Sequence, residues 1–256
     1  MAGTSGPARP VQGACEARIR PYEPRFEDDV VEICWRTGLM GESLEGSGRF
    51  EDRRLFGLLF CLHYLRFEPE TCLVALAPRD PGRPEAGDRA VGYVIGTTDT
   101  AAQRRDFDRR MVPRIAARLL LYDWWKHPES FRQTLAFARA GARAAEAHGP
   151  AGTARGGAAE GEALGGPEYP AHLHIDILPE WQGRGLGGRL MAAFLDLLRA
   201  RGCPGLFLET SDRNLKALPF YRKLGFEAVG DPLAVEPGEF WLGLPARSVA
   251  MRLRLR

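Results

Sequence analysis

HLHIDILPEWQGRGLGGRLMAAFLDLLRAR, residues 172–201, reads as a strand, a glycine-rich loop and an amphipathic helix, in that order. In the strand, Leu173, Ile175 and Ile177 face one way while His174, Asp176 and Leu178 face the other. After Pro179 the loop Gln182-Gly183-Arg184-Gly185-Leu186-Gly187-Gly188 opens the helix. Leu186, Leu190, Phe194, Leu197 and Leu198 then share one helical face, and Gly202 followed by Pro204 ends it. Glycines bring the backbone close to a ligand, and the first amides of a helix have no internal partner and sit at the positive end of its dipole. That combination holds a phosphate or pyrophosphate.

Two ligands compete for the loop. Gly183, Gly185 and Gly188 also satisfy the GxGxxG spacing of a dinucleotide unit, and the next strand, from Gly205, reaches an acid at Glu209. Against that reading, Pro179 to Gln182 separate the strand from the glycines, and the tail after Glu209 is short for a doubly wound sheet. Gln182-x-x-Gly185-x-Gly187 after Pro-Glu-aromatic resembles the acetyl-CoA loop of the GNAT superfamily of N-acetyltransferases. Asn214, Ala217, Tyr221 and Leu224-Gly225-Phe226 follow at the spacing of that family's last core helix. The stretch IRPYEPRFEDDVVEICWRTG, residues 19–38, is similar to the acetyltransferase-like domains attached to some O-GlcNAc hydrolases.

The resemblance implies a single α/β (α+β) domain, with a central mixed, mostly antiparallel sheet flanked by helices and splayed where the co-substrate enters. It implies acetyl-CoA as co-substrate, with Gln182, Gly183, Arg184, Gly185, Leu186, Gly187 and Gly188 around the pyrophosphate and the backbones of Ile177 and Leu178 pairing with pantetheine as an added strand. Asn214 would touch the pantetheine arm or, on its own chemistry, cap a helix. Tyr221 would protonate or steady the leaving thiolate, or else fill core with its ring. Pro219 implies that this last helix starts late or bends.

The reaction sets further demands. A lysine-type amine is less than roughly 0.1% neutral at pH 7, so a nearby base or a deprotonating water path is needed. Asp176 is the first candidate, because a buried strand carboxylate has a raised pKa; a purely structural carboxylate is the alternative. Glu209 is the second, as base or acceptor contact. His172 and His174 share a strand face; no Asp, Glu or Cys cluster completes a metal site around them by spacing, so no metal is expected and His174 is assigned to acceptor binding or proton relay.

The rest of the chain is consistent with one domain over residues 18–256. Its 256 residues are 45% hydrophobic and 27% charged, with a net charge of +2, so neither a nucleic-acid nor a membrane partner is implied. Residues 1–17 read as a disordered lead-in without a secretory apolar region, and five scattered cysteines suit reduced thiols, so a cytoplasmic protein is expected, monomeric or homodimeric. A strand at 18–22, a helix from Glu27, a glycine-containing loop at 38–48 and a helix at 53–65 come first. A hairpin of strands 71–77 and 90–98 follows, with Gly92 and Gly96 marking a bulge or a close backbone neighbour. Residues 99–137 interleave arginines with Phe107, Trp124, Trp125 and Phe131: either an acidic-ligand or nucleic-acid surface, or a helix laying its aromatics on the sheet and lying over the acceptor site. Residues 138–167 are Ala/Gly/Glu-rich, helical to about His148 and then a flexible insertion; 248–255 alternate as a final strand. The expected function is acetyl transfer from acetyl-CoA to a primary amine on a small molecule, amino sugar or protein. The alternative is a weakly active acyl-CoA-binding regulatory module.

Overall fold

The computed structural model describes residues 17–148, 166–229, 233–234 and 247–255. In chain order these form β1 (Arg18–Pro21), α1 (Glu27–Thr37), α2 (Arg53–Phe60), α3 (Leu62–Phe67), β2 (Leu73–Pro78), β3 (Asp88–Thr97), α4 (Thr100–Arg118), α5 (Trp124–Lys126) and α6 (Pro128–His148). Then come β4 (Ala171–Ile177), α7 (Leu186–Ala200), β5 (Gly205–Ser211), α8 (Ala217–Lys223), β6 (Glu227–Ala228), β7 (Leu233–Ala234) and β8 (Arg247–Arg254). The strands form one sheet in the order β1-β2-β3-β4-β5-β8-β6, with β7 also on β8. Every pairing is antiparallel except β4 with β5. This is the mixed, mostly antiparallel α/β domain expected.

The two faces of the sheet are covered differently. Leu190, Met191, Phe194 and Leu198 of α7 are fully buried against one face, as their helical spacing requires. The other face is covered by α1, α2 and α3, through Val30, Ile33, Leu55, Phe56, Leu62 and Leu65. Asp29 of α1 ties that layer to the sheet by accepting the Ala90 N–H at 3.0 Å.

Both strand glycines have structural reasons. The register of β2 and β3 shifts between Ala75 and Leu76, skipping Val91 beside Gly92, which is the bulge. A Cβ on Gly96 would lie 2.2 Å from the His172 carbonyl and 2.7 Å from the Phe194 ring, so strand, neighbour strand and α7 meet there at backbone contact.

Other expectations need correction. The helix expected at 53–65 is two helices, broken at Cys61 (φ −128°), and the break re-aims α3 so that Tyr64 reaches β4. Residues 99–137 are not one helix lying with its aromatics on the sheet. The helix widens into a π turn at Leu119–Asp123, and Leu120, Leu121, Trp124 and Trp125 stand 70%, 78%, 59% and 59% exposed. Only Phe107 behaves as expected, turning its ring to His63 and the core. The helix to His148 is present, while residues 149–165 of the expected insertion and 1–16 of the lead-in lie outside the described residues; Ala17 is buried. Cys34, Cys61, Cys72 and Cys203 are free, buried thiols. Among the described residues no helix is long and apolar enough to cross a membrane.

The Gly96 contact gives a direct test of this packing. Gly96→Ala forces a Cβ into a carbonyl that cannot move without breaking the ladder, and is expected to destabilise the fold by about 3 kcal/mol, read as a shifted denaturant midpoint. The same substitution at Gly188, where a Cβ meets nothing within 4 Å, is expected to leave the fold intact.

Candidate active site

β4 and β5 run together only at Ala171 with Leu206 and His172 with Phe207. Beyond that point β4 stays on β3 as far as Ile177, and β5 stays on β8 as far as Ser211. The sheet therefore opens along one edge of residues 173–177. Leu178 donates its N–H to the Val91 carbonyl, so by antiparallel alternation the backbones of Leu178, Asp176 and His174 are spent on β3. Those of Ile177, Ile175 and Leu173 point into the opening. The Leu178 carbonyl also accepts the Trp181 N–H at 2.8 Å and the Ile177 carbonyl accepts from Gln182, so at this end the edge offers the Ile177 N–H.

The glycine loop lies at the end of that edge. Gly183 and Gly185 take positive φ (72° and 76°), and Gly185 stands at the N-cap of α7 without a side-chain cap. The amides of Leu186, Gly187 and Gly188 thus begin the helix without intrahelical partners. A Cβ at Gly183, Gly185 or Gly188 would meet nothing within 4 Å, so the loop's outer surface is open. Gly187 differs: its Cβ would meet the Phe220 ring at 3.3 Å, and its smallness serves the packing of α8 against α7. Arg184 lies over the Trp181 ring at 5.2 Å. Gln182 spans the mouth: its amide donates to the Ile177 carbonyl at 3.0 Å and its oxygen accepts from Lys216 at 3.4 Å.

Asp176 lies on the α1–α3 face of β4, opposite Tyr93, whose hydroxyl donates to its Oδ2 at 2.5 Å. Burial pushes its carboxyl above the usual carboxylate range, opposed by the Tyr93 and Thr37 hydroxyls. Tyr221, on α8, is buried beside Phe220 and Phe226. Burial, and then the charge of Asp176, push its phenol well above its ordinary value, so it keeps its proton at neutral pH. The structure thus brings the two residues proposed for proton transfer into one electrostatic neighbourhood.

His172 and His174 share that face with Asp176, and the Tyr64 hydroxyl lies between them, 2.6 Å from His172 Nε2 and 3.3 Å from His174 Nε2. His172 Nδ1 is 2.7 Å from Thr100 Oγ1. Burial lowers the pKa of His172 to about 3, helped by the neighbouring histidines, and that of His174 to about 4. Both rings are neutral at physiological pH. His63 extends the group: fully buried, it contacts Asp106 and Gln103 at 3.3 Å each, which stitches the start of α4 to α3. α4 is a fixed wall of the cleft at this end. Tyr64, Tyr93 and Thr100 escaped the sequence reading, because only the strand register and the break at Cys61 bring them to β4.

Glu209 is exposed on β5, and alternation from Phe207 places it on the same sheet face as His172, across the opening. Asn214 accepts the Ala217 N–H through its side chain at 3.3 Å, capping a helix that starts late enough for Pro219 to sit in its first turn. A Cβ on Gly41 would lie 3.7 Å from the Asn214 amide, so the loop at 38–48 reaches the same rim. Away from the cleft, Asp52, Asp123 and His127 present ligand atoms within 4.8 Å of one another. Asp52 already accepts the Arg54 N–H and pairs with Arg118, while burial and Asp52 push Asp123 up to about 7. Arg118 stands against both carboxylates, 2.5 Å from Asp52 and 3.5 Å from Asp123.

Comparisons with known proteins bear on the fold and the family it resembles. A family model described as the acetyltransferase (GNAT) family matches residues 104–226. The N-alpha-acetyltransferase RimI of Mycobacterium tuberculosis is 44% identical over 63 residues, 25% of this chain and 37% of its own length. The chain thus spans well under half the length of such curated relatives. The crystal structure of SsHAT is 29% identical, with a TM-score of 0.62 over 94% of this chain and 99% of that one. A phosphinothricin acetyltransferase from Sinorhizobium meliloti, in complex with AcCoA, shares the fold at 15% identity, with a TM-score of 0.50 over 94% of this chain and 89% of its own. Residues 104–226 thus match the acetyltransferase (GNAT) family model, and the described fold as a whole is similar to that of SsHAT.

Proposed function

We propose that the protein is an acetyl-CoA-dependent N-acetyltransferase that moves the acetyl group to a primary amine, on a small molecule, an amino sugar or a protein, by direct attack on the thioester. The observation that carries this reading is the opening between β4 and β5, with an uncapped helix terminus at its end and Asp176 and Tyr221 beside it. The open Cβ positions at Gly183, Gly185 and Gly188 fit a pyrophosphate drawn against the α7 amides. The edge N–H of Ile177 fits an amide of a pantetheine arm. Acetyl-CoA supplies the activated acyl group.

The chain's own groups have separate tasks. Asp176, with its raised pKa, takes up the amine proton. Tyr221, held protonated, supplies a proton at the position of the leaving sulfur. Gln182 keeps the loop at its distance from β4, and Asn214 fixes the turn into α8. His174 and Glu209 line the acceptor side of the same face.

Calorimetric titration with acetyl-CoA, CoA and NAD in parallel tests the site. Acetyl-CoA and CoA are expected to bind and NAD not to; Gly185→Glu, which replaces a positive-φ glycine and puts a carboxylate at the anion site, is expected to weaken acetyl-CoA by about tenfold or more. A folded protein with no affinity for CoA would overturn the proposal. In turnover assays with a panel of amines, Asp176→Asn and Tyr221→Phe are expected to lower kcat by about a hundredfold with acetyl-CoA affinity retained. Because the folded pKa of Asp176 is raised, its stabilising contribution is greatest at low pH and is lost as pH rises, so Asp176→Asn is expected to fold at least as stably near neutrality. With the carboxylate as base, kcat/KM falls on the acid side through a pKa above the usual 3.8. CoA binding without turnover in the unaltered protein would leave an acyl-CoA-binding module.

A further inference from the structure

We propose that Pro170, Thr100, His172 and Tyr64 form a one-way hydrogen-bond chain that fixes His174 as its Nε2–H tautomer, so that the lone pair on His174 Nδ1 is offered to an N–H of the acceptor amine. The direction is set at the far end. Thr100 Oγ1 lies 2.7 Å from the Pro170 carbonyl oxygen, and two oxygens at that distance need a proton between them. A carbonyl can only accept, so the Thr100 hydroxyl proton is spent on Pro170. Thr100 therefore receives the contact from His172 Nδ1 at 2.7 Å, and Nδ1 carries the hydrogen.

The rest follows link by link. A neutral imidazole protonated at Nδ1 has a bare Nε2, so Tyr64 donates to His172 Nε2 at 2.6 Å. With its one proton used, the Tyr64 oxygen can only accept from His174, whose Nε2 lies 3.3 Å away and must carry the hydrogen. Burial keeps Tyr64 protonated and His172 neutral, so no added proton reverses the link between them. Among the described residues the His174 side chain makes its hydrogen-bond and ring contacts with Tyr64 and His172, and the residue is exposed. Its second nitrogen is left as an acceptor.

This assigns a division of labour. A proton placed on His174 Nδ1 can be passed no further than His172, because the Pro170 carbonyl passes nothing on. His174 is thus suited to hold an amine by accepting one of its N–H bonds, while the carboxylate two residues along the same strand face takes the proton. Tyr64, His172 and Thr100 are positioning residues. The substrate half rests on the acetyltransferase reading; the tautomers do not.

Long-range proton–nitrogen NMR on protein with ring-labelled histidine, assigned with His172→Gln and His174→Gln, reads each tautomer without substrate. His172 is expected as Nδ1–H and His174 as Nε2–H. Thr100→Val removes the acceptor that holds His172, and is expected to reverse both tautomers, while Thr100→Ser keeps them. Tyr64→Phe, a second variant, is expected to leave His172 unchanged and let His174 populate both forms. His172 found as Nε2–H in the unaltered protein, or His174 unmoved in both Thr100→Val and Tyr64→Phe, would overturn the chain. In turnover, Tyr64→Phe and Thr100→Val are expected to raise the acceptor KM about tenfold, the loss of one good hydrogen bond, with acetyl-CoA affinity unchanged and Thr100→Ser restoring it. Tautomers as stated with no change in acceptor KM would overturn the substrate half. Loss of acetyl-CoA affinity in the unaltered protein would strike the acetyltransferase reading instead.

Discussion

After a single shared step at Ala171 and His172, β4 and β5 part company, and much of the molecule is arranged around that separation. Polar backbone in a sheet interior needs partners, and a parted pair of strands leaves a row of them without. Gln182 satisfies the carbonyl of Ile177 from the side, holding the rim without filling the opening. The helix that follows starts at the same rim with its own unpaired amides. One interruption of the ladder thus produces both an edge that can accept an extended ligand and a positive terminus that can accept an anion. The close approach at Gly96 fixes β3, β4 and α7 firmly enough for the interruption to be local.

The opposite sheet face is unusual in what it encloses. Buried His63, Tyr64 and Tyr93, with half-buried His172 and Asp176, form a polar layer where α1 and α3 meet β3 and β4. Such groups are costly to bury unless each finds a partner, and here the partners are supplied largely by one another. The consequence is order: hydroxyl and imidazole rotors that would be free on a surface have one arrangement each. Proton chemistry gains from that order, since groups already oriented need not reorganise during reaction.

Much of the co-substrate side was legible in the sequence. The loop glycines, the strand before them and the apolar stripe of α7 are local patterns, and the spacing from Asn214 to Phe226 is local too. The alternation of β4 put His174 and Asp176 on one face correctly. What could not be read was tertiary. Tyr93 meets Asp176 only through the register of β3, itself shifted by the bulge at Val91. Tyr64 reaches β4 only because the chain turns at Cys61, where the apolar periodicity of residues 53–65 runs on unbroken. The exposed Trp124 and Trp125 show the converse error: composition suggested burial, and a π turn faced them outward.

The attachment of that outward arm has its own consequence. α6 is joined to the body near its start through Ser130, whose hydroxyl oxygen accepts the N–H groups of Glu51 and Asp52, through Glu51 at the Glu129 N–H, and through Arg118 on Asp52. Beside a ring contact of Phe137 with Phe60, these fastenings are polar, whereas the sheet is held by apolar burial. Salt screens the Arg118–Asp52 pair and leaves the apolar burial of the sheet untouched, so ionic strength acts on the arm's attachment and not on the cleft.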